Sequence, residues 1–286
     1  MTDEQLINIY NHFVGRVSPN FRNASMILRH IAQEIVRRDA NPLTRCGAKV
    51  YSQNDEDGIT FEILRRLGRE SGVFAEFGVG NGTENNTLAL AACGWRGFWC
   101  GGEDLAFDWN PRKATRLGFH YAKAWITRAN ILELYRSGLA AIGAERCNVI
   151  SLDLDGNDYH FIGDLLAGIE PPDVFIAEYN ARFLPPIRFV MPYDEAHSWK
   201  HDDYYGASLT SIAELMQQHG YFLACCNAMG CNAFFVRNRF HDLFRDVTGT
   251  VAEKFATPKY FMLGLDYAGH PASMRTIESF FAALNP

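Results

Sequence analysis

Short apolar runs alternate along this chain with longer stretches in which apolar residues recur at helical spacing. Val73-Phe74-Ala75 with Phe77, Phe98-Trp99-Cys100, Val149-Ile150 with Leu152, and Val174-Phe175-Ile176-Ala177 are too short for buried helices. Glycine, proline or polar residues bound them, so they read as buried strands of a parallel sheet. Phe119 to Trp125 reads as one more short strand. Between the strands, Phe61, Ile63, Leu64 and Leu67, then Leu88 to Ala92, then Ile131, Leu132 and Leu134, fall on helical faces. The alternation predicts an α/β fold with a mostly parallel sheet. Farther on, Leu209, Ile212, Leu215 and Met216 mark a helix within Ala207 to Gly220. Tyr221 to Cys226 and Ala233 to Arg237 flank a polar, glycine-containing turn and predict an antiparallel hairpin at the end of a seven-stranded sheet. Before all of these, Ile27, Ile31 and Ile35 form a stripe that predicts N-terminal helix, ended by Asn41-Pro42. The pattern divides the chain into an extension over 1–45, a main domain over 46–240 with a loop near 183–206, and a second extension over 241–286.

The main domain is organised around Val73-Phe74-Ala75-Glu76-Phe77-Gly78-Val79-Gly80-Asn81-Gly82-Thr83-Glu84. A strand, a glycine turn and a helix start suit a ligand that must approach the backbone closely. Free N–H groups at the following helix start favour an electron-rich group on that ligand. Glu-x-Gly-x-Gly-x-Gly resembles motif I of the class I S-adenosyl-L-methionine (SAM) dependent methyltransferases. That resemblance implies a Rossmann-like fold, and Glu76, Gly78, Gly80, Asn81 and Gly82 as residues around the methionine part of the cofactor. Upstream, Ser52-Gln53-Asn54-Asp55-Glu56-Asp57-Gly58 is similar to a segment preceding motif I in FkbM-type methyltransferases, which implies that Ser52 and Gln53 lie over the cofactor. The same run also reads as a polar turn capping a helix. The resemblance further implies an acid after the second strand for the ribose. Gly101 stands where relatives carry it, so Glu103 is the expected residue, beside Asp104. Asn130 is expected near the adenine, or equally as a helix cap.

Two more strand ends carry chemistry. Asn148 to Leu152 leads into Asp153, Asp155 and Asp158, and Asp173 to Ala177 leads into Glu178 and Asn180. Ligands of open α/β sheets collect at the carboxyl ends of the strands, so these groups and the glycine turn face one crevice. Crowded carboxylates need a cation, a proton or a basic partner. Oxygen donors of this kind suit Mg2+ or Mn2+ rather than zinc. Alternatively each acid only caps the helix that follows. The Asp-Gly-x-x-Tyr stretch, Asp155 to Tyr159, is similar to one in metal-dependent sugar O-methyltransferases. It implies Asp155 and Glu178, with Asn180 as a third, as metal ligands and Asp158 or Asn157 in the region of the general base; Asp158 or Asp153 is the expected group near the acceptor proton. Tyr179 separates Glu178 from Asn180, whereas the family carries a neighbouring acidic pair. After Phe183-Leu184-Pro185-Pro186, a loop holding His197, Trp199, His201, Tyr204 and Tyr205 offers flat faces and polar tips for a small polar acceptor such as a sugar.

Composition narrows this picture. A chain of 286 residues, 48% hydrophobic, can bury a full core. Its net charge of −6 and lack of a long basic block argue against nucleic acid as the partner. No apolar run is long enough for a membrane span, and the acidic Met1-Thr2-Asp3-Glu4 does not resemble a signal sequence, so a cytoplasmic protein, monomeric or homo-oligomeric, is expected. Seven scattered cysteines predict reduced core thiols. The expected function is methyl transfer from SAM to a hydroxyl, less readily an amine, of a small acceptor. Two other classes remain open at this point: a protein of the same fold that only binds SAM, and a phosphatase using Asp153-Leu154-Asp155-Gly156, whose Asn157 departs from that motif. A nicotinamide oxidoreductase fits less well, because the glycines lack the G-x-G-x-x-G spacing.

Overall fold

A computed structural model describes residues 30–259 together with Arg275, Glu278, Ser279 and Ala282. Helix α1 spans residues 30–38; the expected stripe continues to Ile27, outside the described residues. The succession is then α2 (Glu56–Arg66), β1 (Val73–Phe77), α3 (Leu88–Ala92), β2 (Arg96–Gly101), α4 (Pro111–Arg116) and β3 (Phe119–Lys123). It continues through α5 (Ile131–Ile142), β4 (Val149–Leu152), α6 (Asp158–Gly168), β5 (Val174–Glu178), α7 (Leu209–Gln218), β6 (Tyr221–Cys226), β7 (Asn232–Arg237) and α8 (Val251–Lys254).

The seven strands form one sheet in the order β3-β2-β1-β4-β5-β7-β6. All neighbours from β3 to β5 are parallel, and β7 alone runs against the rest. This is the Rossmann-like sheet with a closing antiparallel hairpin that the alternation and the motif implied. Because the order reverses beside β1, crossover connections leave a crevice where β1 and β4 end.

Both faces of the sheet are covered, so its central strands are mostly apolar and buried. All five residues of β1 are buried. On one face Phe77, Phe98, Leu152 and Phe175 pack with Tyr135, Phe161, Leu165 and Met216 from α5, α6 and α7. On the other, Phe74, Trp99, Val149 and Ile176 pack with Ile59, Ile63 and Leu64 of α2. Each such side chain contributes about 1.5–3 kcal/mol through burial. Leu43 and Phe244, on either side of the expected 46–240 boundaries, are also buried in that second core. All seven cysteines are free; five are buried as expected, whereas Cys46 and Cys93 are exposed. Among the described residues no helix is long and apolar enough to cross a membrane.

Candidate functional site

The glycine turn follows β1 because no other residue fits its first position. Gly78 has φ +88°, and a Cβ there would lie 1.5 Å from the Asp153 carbonyl oxygen. The turns after β1 and β4 therefore touch through bare backbone. Gly80 also has positive φ, +50°, but a Cβ added there meets nothing within 4 Å. Its outer side is open, as a cradle for a ligand requires. Gly82 packs inward instead, toward Leu105 and Phe107. Asn81 turns its side chain onto its own loop, accepting from the Thr83 amide and hydroxyl at 3.2 and 2.6 Å.

Glu76 is buried beneath this turn. Its carboxylate accepts from the amides of Asn86 and Thr87 at 2.8 and 3.1 Å and from the Thr87 hydroxyl at 2.5 Å. Burial pushes its pKa up to about 7, against the pull of these bonds. The acid expected at the methionine end thus fastens the start of α3. Beside it Asn85 is 2% exposed, and its Oδ1 is enclosed without a partner. Nothing in the sequence distinguished Asn85 from its neighbours.

At the end of β2, Tyr121 donates its hydroxyl to the Glu103 carbonyl, which leaves the exposed Glu103 carboxylate without a protein partner among the described residues. Asp104 pairs with Lys123 at 2.7 Å. Asn130 does not reach outward. Its Oδ1 accepts from the Thr127 amide at 2.8 Å and its Nδ2 donates to the Trp125 carbonyl at 2.9 Å, fixing the loop before α5.

The segment before α2 also has an internal logic. One oxygen of Asp57 collects the amides of Val50, Tyr51 and Ser52 at 2.7–2.9 Å. Ser52 is buried by that turn and Gln53 is exposed. Asp55 and Glu56 reach across to the β6–β7 turn: Asn227 Nδ2 donates to both, and Asn232 Nδ2 donates to Glu56 at 3.0 Å. Burial and the Glu56 charge raise Asp55 to about 7. The segment is thereby latched to the carboxyl edge of the sheet, and Lys49 reaches Glu84 of the glycine turn at 3.8 Å. The contribution of Asn227 to this latch was not foreseen.

At the ends of β4 and β5, Asp153, Asp155 and Glu178 each place one carboxylate oxygen so that all lie within 4.8 Å of one another. None of the three pairs with a lysine or arginine among the described residues. Oε2 of Glu178 is enclosed and has no hydrogen-bond partner. Burial, then the neighbouring acids, raises Asp153 and Glu178 well above the carboxylate range. Asp155, the most exposed, is raised to about 6 by partial desolvation and then by Asp158. It sits at φ +52°, the left-handed region that few non-glycine residues occupy.

Two expected members point elsewhere. Both Asp158 oxygens accept backbone amides, from Leu154 at 2.7 Å and Gly156 at 2.8 Å, so this expected base shapes the turn before α6. Asn180, expected as a ligand, donates to the carbonyls of Asp203 and Tyr205 at 2.9 Å and accepts from the Arg182 amide. A carboxamide so committed has little left for a cation.

Those bonds hold the aromatic loop over the acids as a roof. Asn157 exchanges two hydrogen bonds with the Asp194 backbone, His160 meets the Met191 carbonyl at 2.9 Å, and Trp125 donates to the Glu195 carbonyl. Nε2 of His197 lies 3.1 Å from the Asp155 carbonyl, and a Cβ on Gly156 would strike the His197 ring at 2.2 Å. Phe183 and Phe189 stack at 3.9 Å inside the roof. Trp199 and His201 lie against each other at 4.5 Å, and Arg275 covers the Tyr204 ring at 3.9 Å.

No protein-family model matches the chain, and no curated protein matches it. Solved structures resemble it in outline. A 1,6-didemethyltoxoflavin-N1-methyltransferase from Burkholderia thailandensis is 14% identical, with a TM-score of 0.40 over 77% of this chain and 91% of that one. A precorrin-6y C5,15-methyltransferase from Geobacter metallireducens is 11% identical, with a TM-score of 0.33 over 66% and 90%. A SAM-dependent methyltransferase from Geobacter sulfurreducens is 12% identical, with a TM-score of 0.33 over 63% and 70%. Likeness this shallow fixes no function, which must be read from the site.

Proposed function

We propose that the protein is a SAM-dependent methyltransferase acting on a hydroxyl of a small polar acceptor such as a sugar, with Mg2+ or Mn2+ held by its acidic cluster. The observation that supports this most is a juxtaposition. A glycine turn with an open side touches, through Gly78 and Asp153, the end of β4, where Asp153 and Asp155 meet Glu178 of β5 without a lysine or arginine partner among the described residues. In this reading 46–240 is the catalytic domain and 1–45 and 241–286 are extensions to it.

The residues present fit the cofactor. The open side of Gly80 admits its chain, the unpartnered Asn85 Oδ1 offers an acceptor to its ammonium group, and the Glu103 carboxylate stands at the end of β2 for ribose hydroxyls. They also fit a hard divalent cation, since Asp153, Asp155 and Glu178 offer only oxygens and none pairs with a lysine or arginine among the described residues. Bound there, such an ion would lower the pKa of an acceptor hydroxyl. Asp153, at the same strand end, has a second carboxylate oxygen that would take the hydroxyl proton. Trp199 and Tyr205 of the roof would bound the acceptor and exclude water. A phosphatase acting through Asp153 fits less well. Asn157 departs from the phosphatase motif, and the open glycine turn beside Asp153 would be left without a ligand.

Calorimetric titration with S-adenosylhomocysteine tests the reading. The full chain should bind it saturably, and Gly80→Val should weaken binding at least about tenfold, or about 1.4 kcal/mol. Equal affinity in a folded Gly80→Val variant would remove the glycine turn from the cofactor site. Labelled methyl transfer to sugar acceptors, with Mn2+ or with chelator, then tests acceptor and metal separately.

A further inference from the structure

The opposite edge of the sheet carries a second concavity, and its chemistry is the inverse of the first. Before β1, β2 and β4 lies a cleft of about 600 Å3, lined among others by Ser71, Arg96, Arg146 and Asn148. That volume suits a small molecule. Two lining glycines, Gly94 and Gly143, end α3 and α5 at φ +85° and +63°, and a Cβ on either meets nothing within 4 Å. The cleft is therefore open where side chains would otherwise fill it.

Two guanidinium groups, of Arg96 and Arg146, stand in its lining. Arg96 donates Nη1 to the Ile142 and Gly143 carbonyls at 3.1 and 3.3 Å, and among the described residues its Nε and Nη2 have no hydrogen-bond partner. Arg146 contacts Glu170 at 2.6 Å and Asp173 at 3.4 Å. Arg69 and Arg239 converge on the same buried Asp173. Three arginines thus share two carboxylates behind the cleft, and Arg96 adds a further charge on its wall. Glu145 is the one carboxylate among the lining residues, and it is exposed.

We propose that this basal cleft binds the phosphate or diphosphate group of a small phosphorylated molecule. Planar guanidinium forks match phosphate oxygens in pairs, and the uncommitted edge of Arg96 is such a fork. A small ligand is favoured over nucleic acid, because a chain of net charge −6 repels a long polyanion whereas a small anion within the cleft meets its local arginines first. The site stands apart from the methyl-transfer reading and does not depend on it.

The test uses pyrophosphate as probe against the full chain, by calorimetry at low salt. Wild type should bind it saturably. Gly143→Asp places a carboxylate in the open space at a left-handed position that aspartate tolerates, and should weaken binding at least about tenfold. Gly143→Asn, with the same shape and no charge, should stay within about twofold, and Arg96→Gln should weaken binding. The urea midpoint of each variant, set against that of wild type, reports whether it is folded. No saturable pyrophosphate binding by wild type overturns the proposal. So does equal binding by folded Gly143→Asp and Gly143→Asn, or unchanged binding by Arg96→Gln.

Discussion

Asp173 and Glu178 stand at the two ends of β5, and each carries a carboxylate into the protein. At the amino end, Asp173 is wholly buried but meets Arg69 at 2.8 Å, Arg146 at 3.4 Å, Arg239 and the Asn148 amide. Burial alone would raise its pKa, yet the bonds from Arg239 and Asn148 and the charges of Arg69 and Arg146 hold it below the usual value. At the carboxyl end, Glu178 has Asp153 and Asp155 for neighbours and an enclosed oxygen with no partner, and its pKa is driven well up. The same strand shows that burial does not by itself mark a functional acid. What marks it is burial that the protein leaves uncompensated, since that arrangement persists only if something outside the chain completes it.

The largest expected effect comes from removing the compensated acid. Asp173→Ala would leave three converging guanidinium groups without their shared partner. Losing one member of a buried ion pair costs about 3–5 kcal/mol, and the partly exposed arginines reduce this to roughly 2–4 kcal/mol. Urea unfolding of the variant measures it. A loss below about 0.5 kcal/mol would mean that the arginines are satisfied without Asp173.

At the other end the sign reverses. Glu178→Gln removes an acid whose ionised form burial and the neighbouring acids disfavour, so the ligand-free protein should be as stable as wild type or more so at neutral pH. The pH dependence sharpens this. Glu76 and Asp55 near 7, Asp155 near 6, and the raised Glu178 all bind protons more tightly folded than unfolded. For Asp155, Glu76 and Asp55 the contribution to stability is full below the unfolded carboxylate range and is lost as pH rises through about 6 to 7, and the contribution of Glu178 is likewise lost as pH rises above the unfolded range. Asp173, with its lowered pKa, acts oppositely, stabilising above its unfolded value and losing that contribution in acid. The urea midpoint should therefore fall between pH 5 and pH 8, and fall less in Glu178→Gln. A variant with the wild-type slope would show that Glu178 does not titrate in this window.

The sequence made the framework legible because period and punctuation are local properties. The apolar runs of β1, β4 and β5 and the glycine spacing after β1 were enough to place a crevice and its acids. Direction was not legible. Asp155 and Asp158 are three residues apart, yet one opens toward Glu178 while the other folds back onto the amides of Leu154 and Gly156. Asn180 likewise depends on carbonyls more than twenty residues ahead of it. Such choices are settled by turns and long-range bonds that no spacing encodes. The basal arginines escaped notice for the same reason, since Arg69, Arg146 and Arg239 lie far apart in the chain and meet only at Asp173.

The smallest expected effect distinguishes the acids from the roof above them. Asn157 is 7% exposed and joins the roof by donating to the Asp194 carbonyl at 2.8 Å and accepting its amide at 3.1 Å. Asn157→Ala removes both bonds but leaves the Asp194 backbone at a loop surface where water can replace part of them. With about 0.5–1.5 kcal/mol for each net bond, the local cost is about 1–2 kcal/mol. Global stability should change little, because β4 and α6 keep their packing without this side chain. The roof should open more often, and Lys200 lies within it, so trypsin should cleave there several-fold faster than in wild type. Affinity for S-adenosylhomocysteine should hold, since Asn157 contacts no part of the glycine turn. Should cleavage at Lys200 stay at the wild-type rate, the remaining ties through Asn180, His160 and Trp125 are sufficient, and the roof is as rigid as the strands that carry the acids.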